Sequence, residues 1–176
     1  MDPILRLNAY RDRLAHAAPG YHGPLLLVSV PVQTLYYLDK TQCRWRRPVS
    51  TARRGTGAAE GSLKTPPGIH RIVEKIGAGA PRGRIFTSRR DTGVDWRPGM
   101  TDDNLILTRI LRLEGLEPGI NRGPGIDSFE RYIYIHGTNQ EERIGEPLSH
   151  GCVCMRNDDI VELFDRIEEG AVVIID

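Results

Sequence analysis

Apolar residues recur along this chain in two rhythms. PLLLVSVPV (24–32), TLYYL (34–38), RRPVSTA (46–52) and IHRIVEKI (69–76) are short apolar or alternating runs bounded by Pro and Gly, which predicts strands. DNLILTRILRLEGL (103–116) fits either period. It reads as a strand because Ile, Leu and Thr run straight into the loop EPGINRGPG (117–125). RYIYIHG (131–137) alternates cleanly, with Tyr132, Tyr134 and His136 on one face and Ile133 and Ile135 on the other. AVVIID (171–176) predicts a closing strand. The 3.6-residue rhythm appears in NDDIVELFDRIEEG (157–170), where Ile160, Leu163, Phe164 and Ile167 share a face. Asn157 is its expected cap, Asp158 and Asp159 suit its positive end, and Gly170 is its expected stop. The opening DPILRLNAYRDRLAHAAPG predicts one helix, capped by Asp2, started by Pro3 and ended by Pro19-Gly20. Residues 53–68 and 77–84 are Gly- and Pro-rich loops. The expected fold is mainly β: a β-sandwich with a helix after the cysteines and a short N-terminal helical extension over residues 1–20, ahead of one domain over 21–176.

Composition adds limits. The chain's 176 residues suit one domain and bury enough surface to need no disulfide staples. No apolar run approaches the roughly 18 residues of a membrane helix, so no membrane insertion is expected. The net charge of +1 hides an asymmetry: residues 40–97 hold 14 Lys/Arg against 4 Asp/Glu. Such a segment either attracts an anionic ligand or decorates a solvated face; a nucleic-acid partner is not expected. Three cysteines, an odd number with no framework spacing, fit a reducing compartment. LLLVSV (25–30) is too short and lies too far in for an export signal. The expected location is therefore cytoplasmic, with the periplasm as the alternative if an export signal is missing ahead of Met1.

The chemistry centres on SHGCVCM (149–155). His136, His150, Cys152 and Cys154 are four possible zinc ligands, but no second knuckle supplies ligand spacing. A Cys152–Cys154 disulfide would sit near the outer limit of the allowed Cα separation. The third reading is a thiol nucleophile. His136 ends a strand, where its ring can reach a neighbouring loop. Gly151 lets the backbone approach a substrate, and the N–H groups of Gly151 and Cys152 are candidate oxyanion donors. A histidine and a following helix start would lower the thiol pKa by about 2 units, worth roughly 2.7 kcal/mol. The competing reading is a buried cysteine with two core histidines.

IHGT (135–138) followed by GEPLSHGCVCMRNDD (145–159) resembles the signature of the L,D-transpeptidase catalytic domain, or YkuD, family: a histidine and, about fifteen residues on, Ser/Thr-His-Gly-Cys. QTLYYLD (33–39), PVSTA (48–52) and TPPGIH (65–70) resemble the family's opening strands and its Thr-Pro-x-Gly turn, so the likeness runs from about residue 24 to 176. It implies a β-sandwich and a cysteine enzyme acting on peptidoglycan stem peptides or muropeptides, with no cofactor and no metal, and open to carbapenem inhibition. It implies Cys152 as nucleophile, His136 as general base and acid, the Gly137 carbonyl as the group that orients His136, and His150 and Gly151 beside the oxyanion site. It places Thr138, Ser149 and Arg156 on the substrate side. One departure stands out: family members commonly carry Arg or Asn two residues after the nucleophile, and here that position is Cys154. A thiol cannot grip a carboxylate as a guanidinium does. The expected activity is an L,D-carboxypeptidase that removes D-Ala after diaminopimelate through a thioester, in wall recycling, with an exported 3-3 crosslinking L,D-transpeptidase as the alternative.

Overall fold

A computed structural model describes residues 2–39 and 42–176. In chain order its elements are α1 (Pro3–Asn8), α2 (Arg11–Ala17), β1 (Leu25–Ser29), β2 (Thr34–Asp39), β3 (Gln42–Pro48), β4 (Gly68–Ile76), β5 (Arg84–Thr87), β6 (Arg90–Asp95), β7 (Ile106–Gly115), β8 (Tyr134–Gly137), β9 (Val153–Met155), α3 (Asn157–Arg166) and β10 (Val172–Ile175). The strands run β3-β2-β1-β10-β4-β7-β5-β6, with β8 added to β7 and β9 to β8. The protein is mainly β, as the apolar rhythm predicts.

β7 organises the sheet. It pairs with β4 along Ile110–Gly115, with β8 along Leu107–Arg112 and with β5 at Ile106 and Leu107. Its register against β8 shifts between Leu107 and Ile110, and Thr108 there has φ +71°. A bulge of this kind bends and twists a strand, so the sheet curls into the expected sandwich. The inner face buries Leu26, Leu35, Leu111, Ile135 and Val153 against Ile160, Leu163 and Phe164 of α3. Each such side chain contributes about 1.5–3 kcal/mol on burial. Leu27, Tyr36 and Ile174 point the other way, where Ile4, Leu7 and Leu14 of α1 and α2 cover them. LLLV (25–28) is apolar without a break because both of its faces are covered.

Five expectations need correction. The strand expected over 131–137 begins only at Tyr134, and Tyr132 lies in a turn with φ +56°. The opening helix is two. It breaks at Ala9–Tyr10, and Tyr10 is buried with its hydroxyl donating to Asp176 Oδ1 at 2.8 Å. The Asp2 cap is real: Ile4 N–H donates to its Oδ1 at 2.8 Å. The third strand lies earlier than 46–52; Ser50 and Ala52 instead form isolated bridges to Cys154 and Ser149. The helix after the cysteines is capped by Arg156 and ends at Arg166, so Asn157 is its first residue instead of its cap and Gly170 lies beyond its end. Glu141 Oε1 accepts from both Asn157 N and Asn157 Nδ2 at 2.6 Å, a carboxylate borrowed from elsewhere in the chain for the helix start. The β5–β6 hairpin is absent from the sequence reading because every β6 residue is exposed and no alternation marks it. Arg84 holds the hairpin through Asp91 (2.9 Å) and Asp95 (2.7 Å).

Candidate active site

β8 lies between β7 and β9, in register His136 with Ile110 on one side and with Cys154 on the other. Gly137 is required there. A Cβ at this position would meet Asn157 Oδ1 at 2.5 Å and the Leu107 carbonyl at 2.7 Å. That tight crossing brings the Gly137 carbonyl to 2.8 Å from His136 Nδ1. A carbonyl only accepts, so Nδ1 carries the proton and Nε2 keeps its lone pair. The ring is 2% exposed, and burial pushes its pKa down to about 4, against the Gly137 hydrogen bond that raises it. His136 is therefore a neutral acceptor at pH 7.

Nε2 faces a sulfur 3.8 Å away, and that sulfur belongs to Cys154. Cys154 is fully buried, and Asn104 Nδ2 donates to it at 3.4 Å. Thr138 Oγ1 holds Asn104 by donating to its Oδ1 at 2.7 Å, and accepts from Gln140 N at 3.0 Å. Thr138, expected on the substrate side, is itself buried and spends its hydroxyl on this network. Asn104 has no counterpart in the sequence reading; it lies 50 residues from Cys154, and no spacing rule links them.

Cys152 lies on the same face but closer to the surface, half-buried beside Phe86, Ile110 and Tyr134. Its thiol donates to the Tyr132 carbonyl at 3.5 Å. The expected lowering of its pKa is reversed. Burial pushes it up to about 11, opposed by a hydrogen bond from the Tyr134 backbone and by the Arg131 charge. The expected helix-end effect is also absent, because β9 stands between Cys152 and α3. Burial pushes Cys154 further, to about 12. Both thiols and the imidazole rest neutral, since a low-polarity site disfavours every charged form.

The loop before Cys152 is fixed by its own polar groups. Ser149 Oγ donates to the Cys152 carbonyl at 2.6 Å and accepts from Gly151 N at 3.2 Å. The Gly151 N–H, a candidate oxyanion donor, is thus engaged as the loop stands, and Ser149 shapes the loop from a buried position. Gly151 has φ +140°, and a Cβ there would meet Ile133 Cδ1 at 3.2 Å. Segment 50–53 grips both ends of the loop, through Ser50 N to Cys154 O (2.9 Å) and Arg53 N to Ser149 O (3.1 Å). Arg131 donates to the carbonyls of Gly57, Ala58 and Lys64. Its guanidinium is a cation built in beside Cys152. His150 is exposed at the loop surface, and Arg156 is exposed at the α3 cap, where its charge acts on Asp159. Among the described residues no group of three His, Cys, Asp or Glu is arranged to hold a metal ion. All three cysteines are free thiols.

A family model described as the L,D-transpeptidase catalytic domain (YkuD) matches residues 23–175, which leaves α1 and α2 outside the match. Over 112 residues the chain is 34% identical to the probable L,D-transpeptidase ErfK/SrfK of Escherichia coli strain K12, covering 59% of this chain and 35% of that one. Its fold is similar to a mutant of the Enterococcus faecium L,D-transpeptidase, with a TM-score of 0.54 at 14% identity over 88% of this chain and 50% of that one. It is also similar to the L,D-transpeptidase LdtMt1 in complex with imipenem, with a TM-score of 0.53 at 17% identity over 88% of this chain and 59% of that one. The chain spans about a third of that curated relative and half to six-tenths of those solved chains.

Proposed function

The chain belongs to the L,D-transpeptidase catalytic domain family, and from that premise we propose that it is a cysteine-dependent enzyme acting on peptidoglycan stem peptides. The finer reading is an L,D-carboxypeptidase that releases terminal D-Ala. One observation carries it: an imidazole with Nδ1 pinned by its neighbour's carbonyl and its Nε2 lone pair turned toward the Cys154 thiol, with the less buried Cys152 thiol two residues away in the chain.

In this mechanism the Cys152 thiol leaves the Tyr132 carbonyl and gives its proton to His136 Nε2 as its sulfur attacks the substrate carbonyl. Because thiol and imidazole rest neutral, proton transfer accompanies attack instead of preceding it. The imidazolium then protonates the departing D-Ala amine, leaving a thioester on Cys152. Water, deprotonated by His136, hydrolyses the thioester and frees the thiol. What supports water over an amine acceptor is Cys154: at the family's Arg or Asn position stands a buried, neutral group, so that position offers no charged grip on a second stem peptide. The three free thiols support a reducing, cytoplasmic setting. The imipenem complex of a similar fold supports acylation of Cys152 by carbapenems.

The test is mass spectrometry of the protein with a disaccharide-tetrapeptide ending in diaminopimelate–D-Ala, with and without a second muropeptide. Tripeptide without dimer is the expected product. A 3-3 linked dimer would replace hydrolysis with crosslinking, and no product of either kind would sink the enzymatic reading.

A further inference from the structure

A second group beside Cys152 has the chemistry of a ligand site. The β5–β6 hairpin turns at Ser88 and Arg89, both with positive φ (+47° and +68°). A two-residue turn of this kind favours Asn-Gly, and a residue with a Cβ is strained there. The turn sets the half-buried Arg89 side chain across the aromatic residues of the site. Its Nη1 donates to the Tyr134 hydroxyl at 3.1 Å, and its guanidinium lies 5.0 Å from the centre of the Tyr132 ring. Tyr132 is 53% exposed, with φ +56°, and its carbonyl is the one that receives the Cys152 thiol. Arg89 is thus one residue away from the nucleophile.

Arg89 has no carboxylate partner among the described residues. The Glu74 charge acts on Arg89, but its carboxylate is bonded to Arg112 at 3.2 Å, and Asp91 is bonded to Arg84 at 2.9 Å. Its Nε and Nη2, the edge of the fork that matches a carboxylate bidentately, have no acceptor among the described residues. Arg89 also lines an open depression with Gly77, Ala80, Phe86, Arg84 and Asp91, and the Asp91 carboxylate there is held by Arg84.

We propose that Arg89 is a specificity residue whose Nε–Nη2 edge binds a free carboxylate flanking the scissile carbonyl of the peptide, an assignment that rests on the Cys152 reading above. It supplies from the hairpin a guanidinium that position 154 lacks. Lysine would not replace it fully, since an ammonium presents no planar fork.

The test measures binding without turnover. In a Cys152→Ala background, calorimetry compares a tetrapeptide stem ending in diaminopimelate–D-Ala with two carboxamide analogues, one blocked at the D-Ala terminus and one at the diaminopimelate side-chain carboxylate. The free acid is expected to bind roughly tenfold tighter than one of the two amides. Arg89→Gln removes that preference while leaving amide binding unchanged, and Arg89→Lys keeps part of it. Equal binding of all three peptides, equal weakening of all three by Arg89→Gln, or no measurable binding would overturn the proposal. Turnover by the protein with Cys152 intact is scored separately. Discrimination without D-Ala release keeps the carboxylate site and discards the enzymatic reading.

Discussion

His70 and His136 are both buried, both bonded through Nδ1 to a backbone carbonyl, and both pushed by burial down to about 4. They differ at Nε2. In His70 it faces the hydroxyl of Ser128 at 3.0 Å, and Ser128 is fully buried. In His136 it faces a thiol, with a second and more accessible thiol on the same face. Burial and titration therefore do not separate a working imidazole from a structural one; what stands at the second nitrogen does. The two regions also share a neighbour, since the Arg131 charge acts on both His70 and Cys152.

The sharpest break in that comparison is in activity. Cys152→Ala should abolish D-Ala release, and His136→Gln should lower it by about 10²–10⁴-fold, the usual reach of a general base. His70→Gln should leave the rate per folded molecule within a few-fold of the parent. Steady-state assays on material shown folded by circular dichroism decide it. A His70→Gln protein as inactive as His136→Gln would erase the distinction.

Stability should show the reverse order. His70→Ala strips a partner from the Gly68 carbonyl and the Ser128 hydroxyl in a sealed site, at a cost of about 2–4 kcal/mol. His136→Ala should cost less, because Cys154 keeps its Asn104 donor. Urea titration of the two variants gives the ranking, and a larger loss for His136→Ala would contradict it.

Acid should act on both histidines alike. Each stays neutral in the folded chain down to about pH 4, while the unfolded chain takes up protons near 6.5. Their stabilisation is present in full above 6.5 and is lost as pH falls from 6.5 toward 4, by up to about 3 kcal/mol per histidine. Unfolding curves at pH 7 and pH 4.5 should show the drop, and His70→Gln should shrink it. A drop of the same size in that variant would assign the acid sensitivity to other groups.

Much of this was legible from residue order. The strands at 34–38 and 69–76 follow from bounded β-branched and aromatic runs, and His136 and Cys152 stand in a specific local string. What was hidden depended on chain crossings. Asn104 reaches Cys154 across 50 residues, Glu141 supplies the start of α3, and Arg89 reaches Tyr134 across 45. The hairpin that carries Arg89 has no apolar face to announce it. Residue order points to a lowered thiol pKa, because a nearby histidine should dominate. In the folded site desolvation outweighs it, and it also keeps the histidine itself neutral.

The smallest expected effect tests the two thiols against each other. Cys154 is buried, its sulfur bonded on one side by Asn104 and turned on the other to His136. Cys152 is half-buried and Cys43 is exposed. In native protein iodoacetamide should label Cys43 fastest, Cys152 slowly because burial raises its thiol too, and spare Cys154, which has no access to solvent. Cys154→Ser keeps a small donor facing Nε2, so D-Ala release should change only a few-fold. Peptide mapping after alkylation, run beside the rate assay, reads both. Labelling at Cys154 ahead of Cys152, or loss of activity in Cys154→Ser as complete as in Cys152→Ala, would move the nucleophile two residues along the chain.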